Sequence, residues 1–363
     1  MKTRQLWAGL LLASGIFTVN AQDVSSTPSL TSGGYGAGSA GVDNAFYGAY
    51  AGSYATNNSY RSTFIGAYAG LNTLDSGENV FVGFESGLSN ITSSVNTYVG
   101  SGSGKNTFNG GGNVFLGYNS GESNTSGKYN VFVGMYSGDI TDGLSNTAIG
   151  AYAGSGTGSS DNNTTIGYRA GANSYGSNNV FLGTSAGENA YGDSKLFIDN
   201  SSTSTPLIWG DFDADQLLLN GIVGVGGVTY FPTTAGGVPL DNYKLFVKGG
   251  LLAEEVRVST TWADYVFADN YALPSLTEVE CFITENGHLP NVPSAKQVEA
   301  EGISVGEMAK IQQEKIEELT LYIIQQDKQL KTQQGKIEKL EQQEKEISDL
   351  KILVQNLIDK KQH

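Results

Sequence analysis

Cysteine is almost missing from this chain, and histidine nearly so. The single cysteine, Cys281, excludes a disulfide within the chain. It lies in the stretch 279–283 and reads as a small buried hydrophobe. The two histidines are His288 and His363, and neither has a second histidine or a cysteine beside it, so no metal-ligand spacing forms. His288 follows Asn286-Gly287, where a helix end leaves room for an ordinary helix-dipole contact. After the N-terminal segment no run approaches the roughly 20 apolar residues a membrane-spanning helix needs. Positive charge is also scarce. The net charge is −15, and between positions 44 and 195 the only basic residues are Arg61, Lys105, Lys128, Arg169 and Lys195. That balance argues against nucleic acid and against an acidic membrane surface, both of which would repel the chain. No cofactor is expected.

What the chain has in excess is glycine, 49 residues of 363. Most of it belongs to one phrase written nine times between positions 44 and 187, clearest in Asn79-Val-Phe-Val-Gly83, Asn113-Val-Phe-Leu-Gly117 and Asn130-Val-Phe-Val-Gly134. A second glycine follows four residues after the first, and the residue before it is always Ala or Ser, from Ala51 to Ala186. The first glycines recur every 16 to 18 residues, which is the signature of a solenoid. Side chains alternate along a strand, so each phrase has two faces. One is aliphatic (Val80 and Val82, Val114 and Leu116, Val131 and Val133), and the other carries the column Phe46, Phe64, Phe81, Tyr98, Phe115, Phe132 and Phe181, interrupted at Ala148 and Thr165. The expectation is that the aliphatic face fills the coil and that the aromatic column needs a second surface, most simply a neighbouring subunit. Asparagine opens eight of the nine phrases, with Ser62 the exception, and stacked amides at a corner can bond from coil to coil.

The phrase Asn-x-x-x-Gly-x-x-(Ala/Ser)-Gly resembles the head repeat of trimeric autotransporter adhesins of the YadA type, although the period here is longer than usual for that family. The resemblance implies a left-handed parallel β-roll, three of which pack into an elongated surface head. The membrane-embedded barrel strands that close that family's chains have no counterpart in the charged ending Ile358-Asp-Lys-Lys-Gln-His363.

Read from its start, the chain opens with a secretory signal at 1–21. Lys2 and Arg4 supply the charge, 6–17 the apolar run, and Val19-Asn20-Ala21 the cleavage site, so an exported chain is expected. Segment 22–43 lacks periodicity and reads as a flexible leader. The repeat head covers 44–194, and a β neck of short strands around 196–198, 207–209, 217–219, 223–225 and 245–247 occupies 195–260. A helical hinge at 261–303 carries two capping boxes, Ser275-Leu-Thr-Glu278 and Ser294-Ala-Lys-Gln297. The last segment, 304–363, has the heptad seam Ile316, Leu319, Ile323, Leu330, Ile337 and Leu340, resuming after a three-residue slip as Ile347, Leu350, Val354 and Leu357. Isoleucine at a with leucine at d favours two strands in parallel dimers, Gln326 and Gln333 at d weaken that preference, and the head argues for three.

The stretch from Trp262-Ala-Asp-Tyr-Val-Phe267 through Asn286-Gly-His-Leu-Pro290 to Lys315-Ile-Glu-Glu-Leu-Thr-Leu-Tyr322 is similar to the closing region of bacterial tail-fibre-domain surface proteins. That resemblance implies a trimerising module related to the intramolecular chaperone of phage tail spikes. The self-cutting members carry a serine-aspartate pair with a lysine downstream; Ser259-Thr-Thr-Trp-Ala-Asp264 lacks it, and no catalytic residue is transferred.

Two sets of residues are candidates for a site. Glu122 and Asp139 each follow the second glycine on adjacent coils, about 4.8 Å apart. That is close to the roughly 5 Å carboxylate separation of a retaining glycosidase. A weak calcium site is a further option, and plain solvation of a charge after a turn is the ordinary explanation. Tyr50, Tyr68, Tyr136 and Tyr152 recur two residues after the first glycine and suit either sugar or protein binding, or simple stacking along the solenoid. The expected protein is mainly β: an exported homotrimeric fibre with a binding role toward a host or surface glycan or protein, and not an enzyme. The alternative is a fibre-borne polysaccharide-acting enzyme or a phage-tail-fibre-like scaffold.

Overall fold

The structure is a computed structural model that describes residues 24–27, 30–139, 142–235 and 238–361. The expected signal at 1–21 lies outside the described residues. The chain divides into two units, Met1–Ile222 and Val223–His363.

The first unit is a parallel β-solenoid. A hairpin of β1 (Val24–Thr27) and β2 (Leu30–Gly33) leads into β3 (Asn44–Tyr47), β4 (Thr63–Ile65), β5 (Val80–Val82), β6 (Thr97–Val99), β7 (Val114–Leu116), β8 (Val131–Val133), β9 (Thr147–Ile149), β10 (Thr164–Ile166), β11 (Val180–Leu182) and β12 (Lys195–Ile198). From β2 to β12 each strand pairs in parallel with the next in sequence order, the ladder of a coil wound in one direction. Then β13 (Ile208–Asp211) and β14 (Gln216–Leu219) turn back antiparallel and end the sheet. Two boundaries therefore differ from the expected ones. The leader 22–43 contains β1 and β2, and β2 already pairs with β3. The first strand assigned to the neck, β12, pairs with β11 and so extends the head by another coil.

The larger correction concerns the inside of the coil. Phe46, Phe64, Phe81, Tyr98, Phe115, Phe132 and Phe181 are all buried within the solenoid, and the aliphatic residues face out. Six rings from Phe46 to Phe132 stack nearly flat on one another, with centroids 4.8 to 4.9 Å apart. That distance is the spacing of neighbouring strands, so one ring per coil fills a narrow lumen with no change of pitch. The rest of the lumen belongs to small residues, Ala69, Ser86, Ser103, Ser120 and Ala153 among them. Where the small residue is serine its hydroxyl donates to the next coil's strand, as Ser103 Oγ does to the Phe115 carbonyl at 3.0 Å. The aromatic column therefore needs no partner subunit.

The asparagine corner forms as expected in kind. Each amide oxygen accepts the backbone N–H of the residue at the same corner of the next coil, 2.9 Å from Asn113 to Asn96 and 2.9 Å from Asn130 to Asn113. Each amide nitrogen donates to a carbonyl of the next coil's corner, Asn113 Nδ2 to Gly127 O at 2.9 Å. Ser62 substitutes with its hydroxyl, which accepts from the Asn79 N–H at 3.3 Å. Backbone donors at the corner are thus met without water.

The second unit contains β15 (Val223–Val225), the short strands β16 (Thr234–Ala235) and β17 (Val238–Pro239), and β18 (Leu245–Val247), which pairs with β15. Three helices follow: α1 (Leu276–Asn286), α2 (Ala295–Glu301) and α3 (Val305–Lys361). Both capping boxes form, and α1 stops at Gly287 in the left-handed conformation. Cys281 is exposed on α1 rather than buried, because α1 has no buried residue at all among those described.

A strap at 262–274 is pinned to the start of α3. Ala263 and Val266 are buried, Tyr265 donates to Glu314, Tyr271 donates to Glu318, and Tyr322 on α3 donates back to the Pro274 carbonyl at 2.6 Å. Lys315 bridges Glu314 and Glu318 at 2.9 Å each. Burial alone would raise the Glu314 carboxyl, but the bonds from Tyr265, Lys315 and Asn291 outweigh it and hold it below the usual glutamate range. The Tyr265 hydroxyl is pushed up to about 12, first by its bond to Glu314. Glu314 therefore adds stability that is present above the ordinary glutamate pKa and is lost as pH falls through its lowered value. Tyr265 adds stability that is present below its ordinary value of 10.0 and is lost as pH rises through about 12. The strap is expected to hold across the neutral range and release at both extremes. Tyrosinate absorbance against pH reads the alkaline release, and Glu314→Gln should flatten the acid one.

Candidate functional site

The solenoid offers its repeated positions as a surface, and the strand column before the first glycine is the most regular of them. Ile65, Val82, Val99, Leu116, Val133, Ile149, Ile166 and Leu182 stand directly beside one another in the strand register. The parallel column two residues earlier reads Thr63, Val80, Thr97, Val114, Val131, Thr147, Thr164 and Val180. Every member of both is exposed or half-buried. The column is a continuous apolar line that the single chain leaves uncovered.

The tyrosines do not make one column. Tyr50, Tyr68, Tyr136 and Tyr152 share a turn position whose backbone is left-handed, with φ of 58°, 61°, 53° and 58°. Tyr50 stacks on Tyr68, and Tyr136 on Tyr152, at 5.4 Å in each pair. The intervening coils place Glu85, Gly102 and Asn119 at that position, so the run is broken in the middle. In each pair the ring faces turn toward one another along the solenoid, and a sugar would meet ring edges and hydroxyls instead of faces.

Charged residues fill the gap between the tyrosine pairs. Lys105 pairs with Glu85 at 2.7 Å. The Glu122 carboxyl is raised by burial and then by the nearby Asp139 carboxylate, against the pull of Lys105. The coupling of these two acids comes from the coiling, since they are 17 positions apart in the chain. Glu188, which likewise follows a second glycine, Gly187, pairs with Arg169. Among the described residues no group of three or more acidic, histidine or cysteine side chains could hold a metal ion. His288 is half-buried, with Nδ1 3.0 Å from the Leu289 carbonyl and its ring edge-on to Phe282.

One feature was missed by sequence reasoning. The corner before each strand holds a left-handed residue just ahead of the asparagine, occupied by Glu78, Val95, Gly112, Tyr129, Ser145, Asn162 and Asn178 on successive coils. At Gly112 the side chain is absent, and Gly110 and Gly111 precede it, so a notch of about 350 Å³ opens there, lined by Thr92, Ser94, Val95, Asn109, Lys128 and Tyr129. The Tyr129 ring leans over Gly112, where an added Cβ would lie 2.8 Å from the ring. The signal that could have found it is the run of three glycines at one corner of coils that otherwise carry at most one there.

The chain matches no protein-family model, no curated protein and no solved structure.

Proposed function

We propose that the protein is an exported homotrimeric fibre whose solenoid head presents a repeated surface for adhesion, as the resemblance to trimeric autotransporter heads and tail-fibre-domain proteins implies. The observation that carries this reading is the pair of uncovered apolar lines. One is the aliphatic column on the solenoid. The other is the heptad seam of α3, where Ile316, Leu319, Ile323, Leu330, Ile337 and Leu340 are all exposed in the single chain. Seven-residue spacing sustained on a helix is the pattern that coiled coils bury. At 57 residues α3 would give a stalk of about 85 Å. Three linked heads would bind a surface through many weak contacts at once, and avidity replaces any need for a single tight site. No residue is assigned to catalysis.

Sedimentation equilibrium of residues 22–363 tests the reading. A particle of three chains is expected, and Leu116→Glu combined with Val133→Glu should weaken association of the head while leaving its circular dichroism unchanged. A wild-type particle of one chain over the micromolar range sinks the proposal.

A further inference from the structure

The notch at Gly112 has a chemistry the rest of the solenoid lacks, and that chemistry names a ligand. Among the described residues of the solenoid, four of the five basic side chains reach a carboxylate on a neighbouring coil or strand: Arg61 to Glu78, Lys105 to Glu85, Arg169 to Glu188 and Lys195 to Asp211. Lys128 has no such partner among them. Asp142, on the following coil, is engaged by the Thr125 hydroxyl and by the N–H groups of Thr125 and Ser126. Lys128 is exposed, so its ammonium is open to an anion from outside the chain.

The two residues that flank Gly112 in the corner series point the same way. Val95 and Tyr129 adopt φ of 64° and 60°, a conformation that costs a β-branched or bulky residue and suits asparagine, which two later coils use there. Both are well exposed, at 59% and 68%, so burial does not account for their presence. The left-handed corner recurs on every coil, but on these two it carries exposed apolar side chains beside an open notch, the kind of outlier that clusters at binding positions. Around them stand Thr92, Ser94 and Asn109, with hydroxyl and amide groups.

We infer that the Gly112 notch binds a carboxylate-bearing sugar unit of a surface polysaccharide. The Tyr129 ring and Val95 cover the apolar face of the pyranose, Thr92, Ser94 and Asn109 bond its hydroxyls, and Lys128 pairs with the carboxylate. The notch sits on the corner before the strand and off the aliphatic column. This inference rests on the adhesive reading of the head and supplies the ligand class that reading leaves open.

The test is calorimetric titration of residues 22–363 with an oligogalacturonate, with sialyllactose and with neutral lactose at low salt. At least one acid should bind at least about tenfold more tightly than lactose, with the difference shrinking as salt is added. Lys128→Gln should bring that acid down to the lactose level, whereas Lys105→Gln, which removes a base already held by Glu85, should leave binding unchanged. Val95→Asn and Tyr129→Asn should weaken binding of the acid while keeping or raising the melting temperature, which separates a binding role from a structural one. Equal binding of all three sugars, binding of none, or full binding by Lys128→Gln overturns the inference. Particle mass is measured on the same samples. A single chain that still binds the acid counts against the trimer alone, and a trimer that ignores both acids counts against this site alone.

Discussion

Gly117→Ala is expected to destabilise the head by at least about 3 kcal/mol and to melt the coils around it before the rest. Two independent penalties meet at this position. Its φ is 139°, a region that L side chains rarely enter, and an added Cβ would lie 2.5 Å from the Gly134 carbonyl oxygen of the next coil. Turning the backbone to relieve the first would move the strand out of register, and lifting the coil to relieve the second would stretch the ladder. Gly83, Gly100, Gly134, Gly150 and Gly167 carry the same pair of constraints, so the effect should repeat along the solenoid. Because each coil touches only its neighbours, damage at one coil should show as local loss of hydrogen-exchange protection around residues 100–134. A wild-type exchange pattern in Gly117→Ala would mean that the coils are not held as closely as this spacing requires.

Phe115→Ala should cost about 3–5 kcal/mol, the range for a large aromatic removed from a core. The Phe115 ring lies between Tyr98 and Phe132 at 4.8 Å on either side, and its removal opens a gap in the stack that small neighbours cannot close. Thermal denaturation reads the loss. The companion measurement is Leu116→Ala, one residue along and on the outer face, which should cost the isolated head far less. The two variants decide between the faces directly: a larger loss from Leu116→Ala than from Phe115→Ala would restore the opposite arrangement, with aliphatics inside.

The nine strands were legible because Asn-x-x-x-Gly keeps its register, and the helix starts at Ser275 and Ser294 were legible because a capping box uses residues three apart. Both are local patterns. Alternation also showed that each strand has an aromatic and an aliphatic face, but it carries no label for inside. The deciding facts are distances between coils. The second glycines Gly70, Gly87 and Gly121 each lie against the ring of their own coil, where a Cβ would come within 2.6 Å, and the small residues before them complete a lumen one ring wide. The period places Glu122 and Asp139 on adjacent coils. That burial and Asp139 together raise Glu122 became visible only once the coils were stacked. The exposure of Cys281 was likewise out of reach, since a short amphipathic helix says which side is apolar and not whether anything covers it.

The sequence by itself determined the repeat, its length, the strands of the nine phrases, the helix starts and the scarcity of positive charge. These follow from backbone requirements within a few residues: glycine where φ is positive, asparagine at a corner, apolar residues at a fixed period. The tertiary structure alone decided which face is core, that the solenoid takes in β2 and β12, and that Lys128 stands without a carboxylate among the described residues of the head. Each of those depends on what an adjacent coil places a few ångströms away, and the coil-to-coil neighbour of any residue here is one full period distant along the chain.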